Sequence, residues 1–356
     1  MNRHGFAQHD AQVTSKDSSM MIRFKRPSFF MLHFCGALAV VCCVACNPGT
    51  PENVYKIVVG AEMVPHAAPV WVAEKRGYFR DEGLRVEIRE FDSGRTALRT
   101  MLSSEGVDIA TAAQTPVVAN SFQRNDYAII GNMVYADNDT KILARRDREI
   151  RQPADLKSKT VGITGGSSGH FFLGLFLAHH GLRMADVATV DLEPARLSQA
   201  LIGGQVDAIS TWEPYVYKTK KILGDKALVL PSRDIYREDF YFIARKDFIA
   251  QNPEALKRFL RAIEKGEAFI GSNPKAAMDI VGQRLKMEEE ILIAIWNDFK
   301  FRLSLDQLIL TSLDDEAHWA MRNTAISTIK MPNYLDYIHT DTLKAVKPGA
   351  VRIAGK

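Results

Sequence analysis

The sequence predicts an α/β fold of two lobes joined by two crossover strands that form a hinge. Three observations predict it. Strand-like and helix-like segments alternate along the chain, which implies a mostly parallel sheet flanked by helices. The alternation begins near residue 53 and restarts at Thr160. Between the two runs, Lys141-Ile142-Leu143-Ala144-Arg145-Arg146-Asp147 is echoed by Tyr241-Phe242-Ile243-Ala244-Arg245-Lys246-Asp247.

Tyr55 to Gly60 is an apolar strand ending on Gly, and Pro69 to Arg76 is a helix that Gly77 ends. Leu84 to Phe91 alternates apolar and polar residues and reads as a strand. Thr96 to Ser103 has amphipathic helical spacing, and Val107 to Ala110 is a short buried strand. The restart brings a strand at Thr160 to Thr164, the Gly165-Gly166-Ser167-Ser168-Gly169 run and an apolar helix at Phe171 to His179. A strand at Val187 to Leu192, a helix at Arg196 to Gly203 and a strand at Val206 to Ser210 follow. Beyond Pro253 the expectation is helical, including Glu288 to Phe299 and Leu305 to Ala325, with Leu343 to Pro348 as surface material. The two echoed segments are expected to be the strands that cross between lobes. Lobe one is then 53–140 plus 241–356 and lobe two is 148–236, and two crossings make a closable cleft.

The 356 residues carry 46 Lys and Arg against 42 Asp and Glu. Most of the net +4 belongs to the first 46 residues, so the remainder is close to neutral, which argues against a nucleic-acid surface. All four cysteines, Cys35, Cys42, Cys43 and Cys46, fall in one apolar stretch behind Arg23, Lys25 and Arg26. That pattern reads as a secretion leader over 1–46, and it leaves no thiol for disulfides, metals or catalysis in the body. Val44-Ala45-Cys46 resembles the end of a bacterial lipoprotein signal, with Cys46 as lipid anchor to a membrane and 47–52 as tether. Cys43 stands where Leu, Val or Ile is usual, and an uncleaved anchor helix is the alternative.

Several short motifs, weak singly and specific in their order, carry a family resemblance. They are Ala68-Pro69-Val70-Trp71-Val72-Ala73-Glu74, Gly77-Tyr78-Phe79, Glu82-Gly83-Leu84, Val107-Asp108-Ile109-Ala110 and Ala154-Asp155-Leu156. Gly203-Gly204-Gln205-Val206-Asp207-Ala208, Trp212-Glu213-Pro214-Tyr215 and Asn252-Pro253-Glu254 complete the set. From about Val54 to Val351 the chain resembles the nitrate/sulfonate/taurine group of solute-binding proteins of ABC transporters. The resemblance implies a type II-like periplasmic-binding-protein fold with a small polar ligand, anionic or zwitterionic, held between the lobes. It also implies an ABC permease and its ATPase as partners, a periplasmic or cell-surface location, a monomer, no cofactor and no catalysis.

Gly165 to Gly169 sits between a strand and a helix, where free backbone N–H groups and the helix dipole attract an anion. Gly166, Ser167 and Ser168 are candidate contacts, with His170 beside them; a plain helix cap is the alternative. Trp212 and Glu213 follow a strand, and loops at strand C-terminal ends line ligand clefts. Glu213 is the expected partner of a ligand amine, with Trp212 adding a cation–π face. Gln114 and Thr115 occupy the matching place in lobe one, and His66 is a candidate on its lip. The run also matches Gly-x-Ser-x-Gly, so a serine hydrolase using Ser167, with Asp207 or Glu213 and His318 or His339, is one enzyme reading. A thiamine-pyrimidine synthase-like enzyme, which uses iron, is the other. His179 and His180 are adjacent and cannot share a helix face, and no metal site is expected.

Overall fold

The computed structural model describes residues 54–233, 235–323 and 330–354. The expected leader, Cys46 and the tether lie outside the described residues.

The first stretch runs β1 (Tyr55–Glu62), α1 (Ala68–Lys75), α2 (Tyr78–Asp81), β2 (Leu84–Phe91), α3 (Gly94–Leu102), β3 (Ile109–Ala113), α4 (Gln114–Ser121) and β4 (Tyr127–Ala136). The middle stretch runs β5 (Lys141–Arg145), β6 (Thr160–Ile163), α5 (Ser168–His179), β7 (Ala188–Asp191), α6 (Pro194–Ile202), β8 (Ala208–Thr211), α7 (Tyr215–Leu223) and β9 (Ala227–Val229). The last stretch holds β10 (Glu238–Arg245), α8 (Lys246–Gln251), α9 (Pro253–Ser272), α10 (Pro274–Leu285), α11 (Glu289–Ile295), β11 (Phe299–Asp306), α12 (Gln307–Asn323), α13 (Asp341–Val346) and β12 (Val351–Arg352).

Two sheets result. One has the order β12-β11-β4-β10-β3-β1-β2, and the other β7-β6-β8-β5-β9. Within each, the strands of the βαβ units are parallel: β1 with β2 and β3, and β6 with β7 and β8. A single antiparallel strand then adjoins each set, β10 against β3 and β5 against β8.

The echoed segments are these two antiparallel strands, and neither crosses between lobes. β5 pairs only within the second sheet and β10 only within the first; the chain passes between sheets at 137–140 and 230–237. The echo reflects equal structural jobs. Ala144 lies opposite Ala208, and Ala244 opposite Ile109, each next to the Asp of a Val-Asp pair. Asp207 accepts from the Thr160 N–H at 2.9 Å, and Asp108 from the Val58 N–H at 2.8 Å, so the first carboxylate pins the start of β6 and the second holds β1 at mid-strand. Arg145 donates to Leu201 O and Ile202 O at the end of α6, and Arg245 to Met101 O at the end of α3. A cation there satisfies orphan carbonyls and faces the negative helix end.

Two expectations for the C-terminal part are corrected. Phe299 to Asp306 is a strand rather than helix or linker, since Phe299, Phe301, Leu303 and Leu305 repeat with period two and three of the four are buried. The tail is surface material over 344–348, but Leu343 on α13 is fully buried in the first core.

Close approach of helices to sheets brings the loops together. A Cβ on Gly94 would sit 2.7 Å from Ala112 Cα, and one on Gly169 would sit 2.6 Å from Ser210 O. Both glycines lie in the first turn of a helix (α3 and α5), so the helix starts can press onto the strand ends.

Replacing Asp207 with Ala should lower stability by about 1 kcal/mol by orphaning the Thr160 N–H. Urea denaturation checks this, and an unchanged midpoint would contradict it.

Candidate functional site

The C-terminal ends of the parallel strands in both sheets face one cavity, about 20 Å³ in this closed conformation, so a solute larger than water enters only as the lobes part. Lobe one supplies Glu62 at the end of β1, His66 behind it, and Ser93, Gly94 and Arg95 at the start of α3. Lobe two supplies Ser167 and Ser168 at the start of α5 and Trp212 after β8. The start of β10 adds Glu238 and Phe240.

Glu62 is buried, and its Oε2 accepts from the Gly94 N–H at 3.0 Å. The carboxylate therefore sits at the N-terminus of α3, where N–H groups and the dipole favour negative charge. His66 Nε2 lies 3.6 Å from the same oxygen, and the imidazole stacks on Phe240 with centroids 3.8 Å apart. His66 Nδ1 and Trp212 Nε1 are buried without a hydrogen-bond partner.

Glu238 accepts from Thr140 Oγ1 at 2.7 Å. Burial pushes its carboxyl up to about 7, against the opposing hydrogen bonds of Ser168 and Thr140. Asp139 on the first crossing is also raised, by burial first and then by Glu238, and neither of its oxygens has a partner.

The donors of the glycine loop are largely spent inside the protein. Gly165 N–H goes to Asp191 Oδ1 at 2.8 Å, Gly166 N–H to His170 Nδ1 at 3.4 Å, and Ser167 N–H to Thr164 O at 3.2 Å. Arg95 reaches across from α3 to Gly165 O at 3.0 Å and to Glu193 at 3.2 Å, tying lobe one to lobe two at the rim.

His66, Ser167, Ser168 and Trp212 meet at this cavity. Glu213 does not line it. Its Oε1 takes Lys141 Nζ at 2.7 Å and its Oε2 takes the Tyr217 N–H at 2.9 Å, so both oxygens expected to read an amine are committed. Gln114 is likewise used, bridging Arg237 O and the Asp239 N–H. Thr115, Gly166 and His170 instead border a second cavity of about 200 Å³ between α4, α5 and α12, with Glu316 and Trp319.

Sequence reasoning missed Glu62, Arg95, Glu238 and Glu316. Glu62 ends a strand beside a lip already in view, which is a readable signal. Glu238 and Glu316 reach the cleft through tertiary structure alone.

Ser167 Oγ donates to Thr164 O at 2.7 Å, so its proton faces a carbonyl rather than a base. His318 Nδ1 lies 2.8 Å from Asp314 O, His339 Nε2 lies 2.8 Å from Thr342 Oγ1, and Asp207 lies at the other end of β8. The geometry gives no support to a Ser-His-acid arrangement at Ser167.

Glu316 Oε1 accepts from the Tyr236 hydroxyl at 2.9 Å, and burial pushes this carboxyl up to about 8. The folded protein therefore keeps this proton to near pH 8, whereas an unfolded chain releases it near 4.5. The contribution to stability is full below 4.5 and declines as pH rises toward 8. Glu316→Gln should flatten that decline in thermal unfolding measured across the window. Parallel pH profiles for the two proteins would contradict it.

The NMT1/THI5-like family profile matches residues 64–277. An aliphatic sulfonates-binding protein named for Bacillus subtilis is 28% identical over 268 residues, covering 74% of this chain and 77% of its own. The taurine-binding periplasmic protein of Escherichia coli is 28% identical over 217 residues, covering 58% and 65%. A 4-amino-5-hydroxymethyl-2-methylpyrimidine phosphate synthase of Aspergillus parasiticus is 24% identical over 229 residues, covering 60% and 66%. Among solved structures, the alkanesulfonate-binding protein of Xanthomonas axonopodis pv. citri superposes with a TM-score of 0.69 at 17% identity, over 80% of this chain and 98% of that one. That likeness shows the periplasmic-binding-protein fold. With more than half of its length matched, this chain belongs to the NMT1/THI5-like family.

Proposed function

We propose that the protein is the extracytoplasmic solute-binding component of an ABC importer, capturing one small polar solute between its lobes. The observation that carries this reading is the cavity itself. Both sheets contribute their strand ends to it, and two buried ring nitrogens of its lining, on His66 and Trp212, are unpartnered. Buried polar atoms in folded proteins are nearly always paired, so such atoms mark where a ligand's groups fit.

The relatives named for aliphatic sulfonates and taurine support solute capture. Of the anionic and zwitterionic ligands expected, a zwitterion such as an aminosulfonate agrees best with the carboxylates Glu62 and Glu238 in the lining. The crossings at 137–140 and 230–237 serve as the hinge between lobe one and lobe two, and a ligand that touches both walls favours the closed form. A permease and its ATPase are separate chains that the closed form would dock on. The periplasm is the location in this reading, with Cys46 as lipid anchor, and the protein acts as a monomer without cofactor.

The synthase among the relatives keeps an enzyme as the second reading. One experiment separates the two. The body from Asn47 onward is screened by thermal shift against taurine, alkanesulfonates, nitrate, sulfate, amino acids and pyrimidines, and each hit is recovered and weighed by mass spectrometry. A bound solute raises the melting temperature by mass action and leaves unchanged. A hit recovered as a different compound would contradict binding without chemistry.

A further inference from the structure

The expected anion places are partly taken by the protein's own carboxyl groups. Glu62 occupies the start of α3 through the Gly94 N–H. Asp191 takes the first N–H of the glycine loop before α5, and Glu238 lies with Ser168 at the start of that helix. Among the described residues lining the cavity, Arg95 is the one Lys or Arg, and its guanidinium is spent on Gly165 O and Glu193. The nearby Lys141 is paired with Glu213. A sulfonate or nitrate entering here would meet two carboxyl groups and no uncommitted Lys or Arg side chain.

The remaining lining has the opposite preference. Glu62 and Glu238 are hydrogen-bond acceptors when ionised, and Trp212 adds an aromatic ring, a group whose face attracts cations. Trp212 is buried and keeps its indole N–H unpartnered, which calls for one acceptor on the ligand. His66 Nδ1 adds a second buried, unpartnered atom on the opposite wall.

We infer that the solute taken by this cavity is a small protonated nitrogen base, an amine or amidinium carrying one hydrogen-bond acceptor, held between Glu62 and Glu238. This rests on the solute-binding reading and narrows it: the nitrogen, rather than a sulfonate or nitrate group, is the feature recognised. Arg95, by bridging α3 to the glycine loop, closes the rim over it.

The test is isothermal titration calorimetry of the body from Asn47 onward with ethanolamine, methylammonium and benzamidine, and separately with ethanesulfonate and nitrate. At least one base should bind, and neither simple anion should. Glu62→Gln and Glu238→Gln keep a carbonyl acceptor for Gly94 and Thr140, and each should weaken the base at least about tenfold, the loss expected when a hydrogen bond to a charged partner is removed. Glu289→Gln, on the far surface beside Lys275, should leave binding unchanged and serves as the control. Circular dichroism confirms that each variant is folded. Binding of ethanesulfonate or nitrate without any base would overturn the inference and leave solute capture standing. Binding of neither class would count against both. Base affinity unchanged from the parent protein in both Gln variants would overturn the assignment to Glu62 and Glu238.

Discussion

Both passages of the chain between the sheets converge on one carboxylate, Asp298, in the turn before β11. Asn138 from the first crossing donates to it at 2.8 Å, and Arg233 from the second at 3.1 Å. Lys141, where β5 begins, lies 3.9 Å away and carries its main bond to Glu213 at the end of β8. The two connections are therefore held side by side, and the strand ends of lobe two are aimed at those of lobe one. That constraint bears on how the two walls of the cavity meet. The Lys141–Glu213 pair is buried, so removing Lys141 would leave the Glu213 carboxylate without its cation, a change that typically costs about 3–5 kcal/mol.

The same strand-end geometry explains why carboxylates dominate the site. Helices α3 and α5 begin at the cavity, and their positive ends invite negative charge. In this chain Glu62 holds the first helix start, and Glu238 stands by the second. On the inference above, these two carboxyl groups suit the cavity to a base rather than to a simple anion.

Much of the fold was legible because its signals are local. The βαβα order, the amphipathic helices and the Gly-rich loop all follow from periodicity and from residues that tolerate tight turns. The echo of 141–147 in 241–247 was also visible, but its meaning was not. Arginine capping a helix and a strand pairing next to an Asp are tertiary relations, and sequence similarity alone read them as a shared path between lobes. β11 was hidden because its alternating residues lie between two amphipathic helices. Ser167, Ser168, His66 and Trp212, singled out by motif and position, line one cavity. Glu213 was misplaced because a carboxylate after a strand looks the same whether it faces a ligand or a lysine, and Lys141 lies on a different strand.

The account stands or falls on what the cavity holds when the protein comes from its own cells. Native mass spectrometry of undenatured protein, followed by release of any adduct, measures this directly. The account predicts one non-covalent small molecule per chain, chemically unaltered and bearing a basic nitrogen. A plain sulfonate or nitrate, or a molecule transformed by the protein, would contradict it.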